Sequence, residues 1–202
     1  MLVSINDESV PVNVSHFHSL EELLVELHEK YIPQGQQLFQ VLINGEFFSE
    51  RYPRESRYLE MGDIATLNLK TISDTEMARM ILMQAVGQAQ VLCQALEQGA
   101  ALFRLAAEDE ANQYFAQVLD ALRWLMHTGG DACRVLNVGL KDAGGDDPGA
   151  ISRYLVSLER LLAEMLDIAA EEDYILLADL MEYELLPMVQ EWQKILTRLA
   201  SH

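Results

Sequence analysis

The side chains that most often carry out chemistry are few and scattered in this chain. His16 and His18 lie two positions apart at the end of a predicted strand, where both point to one side, but two ligands are too few for a metal site. Cys93 and Cys133 both fall within apolar helical patterns, which favours free, buried thiols. Two cysteines are also too few for a disulfide framework or a cysteine-rich zinc site.

Catalytic motifs are not recognisable either. Carboxylate-bridged metal pairs in helical bundles need inward-facing glutamates and Glu-x-x-His pairs, yet His127 has no glutamate three residues before it. The sequence contains no glycine-rich phosphate loop, no Gly-x-Ser-x-Gly turn and no Cys/His nucleophile pair. We therefore expect no catalytic residue, no metal, no cofactor and no enzymatic activity.

The charge of the chain limits its partners. The formal net charge is −18: five basic residues stand against eleven acidic ones before Ser73, and nine against 21 from Ser73 onward. Both halves would repel the phosphates of a nucleic acid, so we expect no nucleic-acid binding. The start of the chain alternates like a strand instead of resembling a signal peptide, and no stretch is suited to membrane insertion, which predicts a cytoplasmic protein.

The first 72 residues have the pattern of a small sheet with one helix. Two alternating runs, LVSIND and VPVNVSH, stand on either side of DES and predict a hairpin. Ser19 and Glu22 form the pattern of a capping box, which predicts a helix that ends before Pro33 and Gly35. Asn44-Gly45 predicts a two-residue turn between LFQVLI and EFF, and IATLNLKT predicts the last strand.

This order of strands and helix is that of the β-grasp. Residues 1–72 resemble ubiquitin and, more closely, the sulfur-carrier proteins of thiamine and molybdopterin synthesis, which also have a Gly-Asp pair, here Gly62-Asp63, before the last strand. Those carriers react through a C-terminal Gly-Gly. Here LNLKT continues into ISDTEMARM, and Gly129-Gly130 and Gly144-Gly145 are internal. The resemblance thus implies a ubiquitin-like recognition domain that is not itself conjugated.

The pattern of residues 73–202 predicts an antiparallel up-down four-helix bundle. Together with the β-grasp of residues 1–72, this gives α+β as the expected fold class. From Ser73 the apolar spacing changes from two to about 3.5 residues, and four apolar seams follow, beginning at Ala78, Phe115, Ile151 and Tyr174. The seam of the first helix comprises Ala78, Leu82, Ala85, Ala89, Leu92, Leu96, Gly99, Phe103 and Ala106. Gly129-Gly130 predicts a weak point or kink in the second helix, with a break as the alternative, and Pro187 predicts a kink in the fourth.

The second half also contains a long acidic segment. No basic residue occurs between Arg160 and Lys194, whereas nine acidic residues do. The segment is either a solvated face or a docking surface for a basic partner.

The first helix of the bundle has an unusual outer face. From Met80 to Leu96 none of the 17 residues is charged, although a helix on the outside of a bundle normally presents charges to water. Apolar side chains opposite the seam predict a protein interface; they are Met77, Met80, Met83, Val91 and Leu102. Its occupant is the other domain, a second copy in a homodimer, or a separate protein partner.

These patterns favour a non-enzymatic adaptor, scaffold or chaperone-like protein that binds a partner protein through the β-grasp domain, the uncharged helix face, or both. Small acidic bundles with Met-rich helices resemble the export chaperones and adaptors of bacterial secretion and flagellar systems. Two alternatives remain: a carrier-type protein that is processed to a Gly-Gly end, and a bundle that binds a metal or small ligand.

Overall fold

The computed structural model describes residues 1–48, 59, 61–105, 108–139, 147 and 149–201. Its fold class is α+β, as predicted: a five-stranded mixed sheet precedes a series of helices. The chain divides into two compact units, Met1–Met77 and Ala78–His202. Of the positions named above, Ala106, Gly144 and Gly145 lie outside the described residues.

The sheet of the first unit has the strand order β2-β1-β5-β3-β4. The strands are β1 (Leu2–Ile5), β2 (Glu8–Ser9), β3 (Gln36–Ile43), β4 (Glu46–Phe48) and β5 (Thr66–Ser73). β1 pairs parallel with β5 and antiparallel with β2, and β3 pairs antiparallel with both β5 and β4. This topology is compatible with the predicted β-grasp.

The first hairpin differs from the sequence prediction. The turn lies at Asn6 and Asp7, which have positive φ angles of 50° and 68°, and Glu8–Ser9 within DES is the whole of β2. VPVNVSH contains no strand and ends in a 3₁₀ turn, Val14–His16. Pro11 has no N–H for a strand ladder, which explains why the alternating pattern of VPVNVSH misleads.

One helix, α1 (Leu20–Tyr31), packs its apolar face against the sheet. The Ser19 hydroxyl accepts the N–H of Glu22, while the Glu22 carboxylate accepts the N–H of His18 instead of that of Ser19. The cap therefore forms one residue wider than a standard capping box. The core of this unit consists of Val3, Leu20, Leu23, Leu27, Ile64, Leu67 and Leu69.

The remaining described helices lie in the second unit, except for the first turn of α2, which belongs to the first unit. They are α2 (Asp74–Leu105), α3 (Glu108–Leu136), α4 (Ala150–Ala170), α5 (Tyr174–Leu180) and α6 (Leu186–Ala200), with a π-helical segment, Met181–Leu185, between the last two. Ser73 caps α2, since its hydroxyl accepts the N–H of Glu76 while the Glu76 carboxylate accepts the N–H of Ser73. All described members of the predicted α2 seam are buried.

Side-chain contacts join the helices of this unit. Phe103, near the end of α2, contacts Phe115 near the start of α3 and Tyr174 at the start of α5, with ring centroids 6.0 and 5.8 Å apart. Tyr154, near the start of α4, donates a hydrogen bond to the carbonyl of Met188 in α6 (3.0 Å). Buried residues of all these helices form one apolar cluster.

Two predicted irregularities have different outcomes. α3 continues through Gly129-Gly130 without a break. The fourth helical stretch does depart from α-helix geometry next to Pro187. The π-helical segment Met181–Leu185 ends two residues before the proline, and the Leu186 N–H donates to the carbonyl of Met181, five residues back.

Candidate protein-interaction surfaces

The uncharged face of α2 is exposed over most of its length. Of the predicted interface residues, Met80, Met83 and Val91 have exposed fractions of 47%, 62% and 55%, whereas Met77 and Leu102 are partly buried. Between them on the same face lie the exposed residues Gln84, Gly87, Gln94 and Gln98. The helix thus presents methionine, valine, glycine and amide side chains to its surroundings, without a charge.

A pocket of about 140 Å³ adjoins this face, between α2 and α3. Its large exposed apolar residues are Val91 and Trp124, and Leu92, Ala95 and Val118 also line its wall. The Tyr114 hydroxyl, also in the wall, donates a hydrogen bond to the Ala95 carbonyl (2.8 Å), and burial raises the pKa of this phenol.

Sequence reasoning missed Trp124, although a signal was available. The predicted apolar seam of α3 passes through Leu122 and Met126, so an indole at position 124 lies off that seam and is 44% exposed. A large aromatic residue outside the core pattern is a sign of a binding surface, because leaving it in water forgoes the free energy of burying it.

A larger groove lies between α3 and α4 and was not predicted. It has a volume of about 660 Å³. Its apolar wall consists of Leu119, Leu122, Met126, Leu155, Leu162, Leu166 and Trp192. Leu166 is 54% exposed, and Gly130 lies at the rim, where a Cβ atom would meet nothing within 4 Å. The groove therefore offers apolar surface that the described residues of the chain leave open.

The rim of this groove carries basic side chains within an acidic unit. Arg123, His127, Asp131 and Arg134 of α3 line it. Arg123 forms an exposed ion pair with Asp120 on the same helix (2.9 Å), and Arg134 pairs with Asp131. Exposed pairs of this kind contribute little stability and exchange partners readily, so both guanidinium groups are available to an acidic ligand.

Part of the acidic segment has a structural role. Arg104 of α2 reaches Asp179 (2.8 Å) and Glu182 (2.7 Å), which raises the pKa of its guanidinium group through hydrogen bonds to both carboxylates. Glu191 pairs with Lys194 (2.9 Å) and Arg198 (3.4 Å). These contacts account for three of the nine acidic residues, and a fourth, Asp173, caps α5 by accepting the N–H of Leu176 (3.1 Å).

The groups considered for metal or thiol chemistry do not converge. Among the residues that the structure describes, no three His, Cys, Asp or Glu side chains lie close enough together to hold a metal ion. His16 packs on Phe17, with ring centroids 4.1 Å apart. Cys93 and Cys133 are buried and unlinked, and burial raises the pKa of both thiols. In the described part of the chain, no helix is both long and apolar enough to span a membrane.

Comparisons with known proteins give family matches that carry no stated activity. The sequence model of a family described as a domain of unknown function (DUF8042) matches residues 80–195. A second model, also described as a domain of unknown function (DUF8043), matches residues 2–72. No curated protein and no solved structure matches the chain significantly.

Proposed function

The chain belongs to the DUF8042 family through its helical unit, and we propose that it is a non-enzymatic adaptor which binds an amphipathic helix of a partner protein. The groove between α3 and α4 is the observation that carries this proposal. Amphipathic helices dock by placing apolar side chains three and four residues apart into such grooves.

The dimensions of the groove suit a helix. Its wall follows α3 from Leu119 to Arg134, which is about 22 Å at 1.5 Å per residue and corresponds to about four turns of a bound helix. Met126 provides a side chain that adapts to different apolar partners. Full burial of an exposed leucine side chain contributes about 1.5–3 kcal/mol to the binding free energy. Leu166 is already partly buried, so its contribution would be smaller.

The charges around the groove define the class of partner. Arg123 and Arg134 would pair with carboxylates that flank the apolar face of the bound helix, in place of their exposed partners Asp120 and Asp131. The helical half of the chain is otherwise strongly acidic, so an acidic partner is repelled elsewhere and directed to this rim. The partner helix is therefore apolar on one face and acidic at its borders.

For the first unit we propose a ubiquitin-like β-grasp domain that acts in recognition and not in conjugation. The strand order and the single helix against the sheet support this assignment. A carrier function would require a free Gly-Gly end. Cleavage after Gly130 would cut through α3 beside the buried Trp192, which argues against processing at that pair.

A ligand-binding enzyme is the weaker alternative. The wall of the groove between α3 and α4 is apolar, and its charged residues lie at the rim, where Arg134 pairs with Asp131 and Arg123 with the neighbouring Asp120. Catalytic pockets instead place a few polar groups at the point where a substrate reacts.

The adaptor proposal can be tested with designed peptides. The probe is a fluorescent helical peptide with leucines at positions i, i+3, i+4 and i+7 and glutamates at the borders, and the matched peptide has lysines in place of the glutamates. We expect the glutamate peptide to bind at least tenfold more tightly than the lysine peptide, as measured by fluorescence anisotropy. Replacing Leu166→Glu should weaken binding at least tenfold.

The control is Val156→Glu, an aliphatic position on α4 that is also more than half exposed and lies outside the groove wall. It should leave the affinity unchanged. If neither peptide binds, or if Leu166→Glu binds as well as Val156→Glu, the groove does not receive a helix of this type.

A further inference from the structure

Gly87 is a glycine that the described contacts of its own chain do not explain. A Cβ atom at Gly99 would lie 2.6 Å from Tyr114 Cε1, and one at Gly129 would lie 2.6 Å from Trp192 Cζ2, so both of these glycines are required by the core. A Cβ atom at Gly87 would meet nothing within 4 Å. Glycine inside a helix lowers stability relative to alanine, so a residue here that gives no packing benefit points to a close approach from outside.

The surface around Gly87 has the composition of a contact and not of a solvated face. It lies within the longest stretch of the sequence without a charged residue, Met80 to Leu96. Met83 and Val91, four residues to either side, are both more than half exposed. Uncharged surface that contains several exposed apolar side chains favours association.

The charge of the chain restricts where a second copy can bind. Two chains of net charge −18 repel each other wherever acidic surfaces meet. On the uncharged face of α2, two copies can approach without bringing carboxylates together. The exposed amides of Gln84 and Gln94 suit such a self-contact, because an amide side chain both donates and accepts hydrogen bonds.

The arrangement of the face around Gly87 is self-complementary. If a twofold axis passes beside Gly87, the two α2 helices pack antiparallel. Met83 of one copy then lies at the same level along the helix axis, or height, as Val91 of the other. The axis likewise brings Met80 of one copy to the height of Gln94 of the other, on the side where the pocket beside Trp124 opens. Methionine, which is flexible and unbranched, suits insertion into a small apolar pocket.

We propose that two copies of this chain associate through an antiparallel pair of α2 helices, which cross at Gly87 and insert Met80 of each copy into the pocket beside Val91 and Trp124 of the other. This contact is distinct from the groove between α3 and α4, which remains open in the dimer. The uncharged face of α2 thus serves self-association, and the groove serves partner binding.

The first test is the mass of the full chain in solution, measured by sedimentation equilibrium. We expect a concentration-dependent species of twice 22.8 kDa within the range up to about 100 µM, where weak specific association is measurable. Gly87→Leu should weaken the dimer at least tenfold, because the new side chain prevents close approach of the helices. The same change should not lower the melting temperature of the dilute monomer, since leucine is a better helix former and the site is open.

The second test is a cross-link at the proposed crossing point. Gly87→Cys should form a disulfide-linked dimer on mild oxidation, because the two sulfur atoms would meet at the axis. Val156→Cys, an exposed position on α4, provides the control and should not do so. The native cysteines are buried, which keeps them out of the reaction.

The outcomes separate this proposal from that of the adaptor function. A wild type that stays monomeric throughout this range, or a dimer that Gly87→Leu leaves intact, overturns the dimer, as does equal cross-linking of the two cysteine variants. Binding of the glutamate peptide should persist in Gly87→Leu, because the groove is elsewhere on the unit. If the wild type forms the dimer but does not bind the glutamate peptide, the adaptor function is wrong and the dimer stands.

Discussion

The indole of Trp192 packs directly against the backbone of Gly129, at a separation that leaves no room for a methyl group: a Cβ atom at Gly129 would lie 2.6 Å from Trp192 Cζ2. The indole N–H also donates a hydrogen bond to the carbonyl of Leu125, one turn earlier in α3 (3.2 Å). The glycine that the sequence suggested as a weak point is thus the place where the backbone of α3 accommodates the indole of α6.

The two adjacent glycines of α3 should respond oppositely to alanine. Gly129→Ala should lower the free energy of unfolding by about 1–3 kcal/mol, because the methyl group overpacks the buried indole. Gly130→Ala, at a site with free space, should raise it by about 0.5–1 kcal/mol through helix propensity. Urea denaturation followed by circular dichroism measures both, and a stabilising Gly129→Ala would contradict the packing described.

Tyr154 should make stability depend on alkaline pH. Burial raises the pKa of its phenol well above the ordinary value of 10, so above pH 10 the unfolded chain releases a proton that the folded chain keeps. Stability therefore falls as the pH rises past 10, and Tyr154→Phe should make that fall less steep. Parallel stability curves for the wild type and the variant above pH 10 would show that this phenol is not responsible.

At neutral pH the same substitution tests the hydrogen bond to Met188. Tyr154→Phe should lower the free energy of unfolding by about 0.5–1.5 kcal/mol, since the ring remains stacked on Trp192 while the hydroxyl is lost. Tyr183→Phe, at an exposed position, is the matched control and should change stability at pH 7 by much less.

The two thiols should react only when the helical unit opens. Cys93 and Cys133 are buried, and their raised pKa values leave little thiolate at neutral pH. Iodoacetamide labelling followed by mass spectrometry should therefore be slow in the native protein and fast in urea, whereas Val156→Cys should label at once. Fast labelling of Cys93 or Cys133 in the native protein would contradict the burial of its side chain.

Residues 73–202 should fold without the first unit. The change of apolar period at Ser73 and the separate buried clusters of the two units motivate this prediction. A chain that begins at Ser73 keeps the Ser73–Glu76 cap of α2. It should show a helical circular-dichroism spectrum and a cooperative thermal transition; a molten or aggregated product would mean that the sheet is needed for the helices to fold.

The sequence was most informative where one periodic pattern determines burial. The α2 seam is buried at all its described positions because small and large apolar residues repeat there without interruption. In α3 the predicted seam captured only part of the core. Val118, Leu125 and Ala132, which lie beside it, are also buried, since a helix surrounded by several neighbours buries a wider face than a two-helix seam.

Contacts between distant segments could not be predicted in the same way. The Asn44-Gly45 turn was expected, and both residues have positive φ angles, of 53° and 85°. The Asn44 side chain also accepts the N–H groups of Ala65 and Thr66 and donates to the carbonyl of Asp63. The groove between α3 and α4 was missed for a related reason: a groove depends on the spacing of two helices, which a single apolar pattern does not define.

The π-helical segment makes the chain one residue longer between Leu180 and Leu186 than an unbroken α-helix requires. This extra residue is a place where the length of the protein can change during evolution. Deleting the exposed residue Glu184 would convert the segment to an α-helical turn, and the buried faces of α5 and α6 would keep their orientation. Pro187 would then clash with the carbonyl four residues before it. The deletion should thus be tolerated together with Pro187→Ala and not alone, so the π-turn and the proline are expected to be gained or lost as a pair.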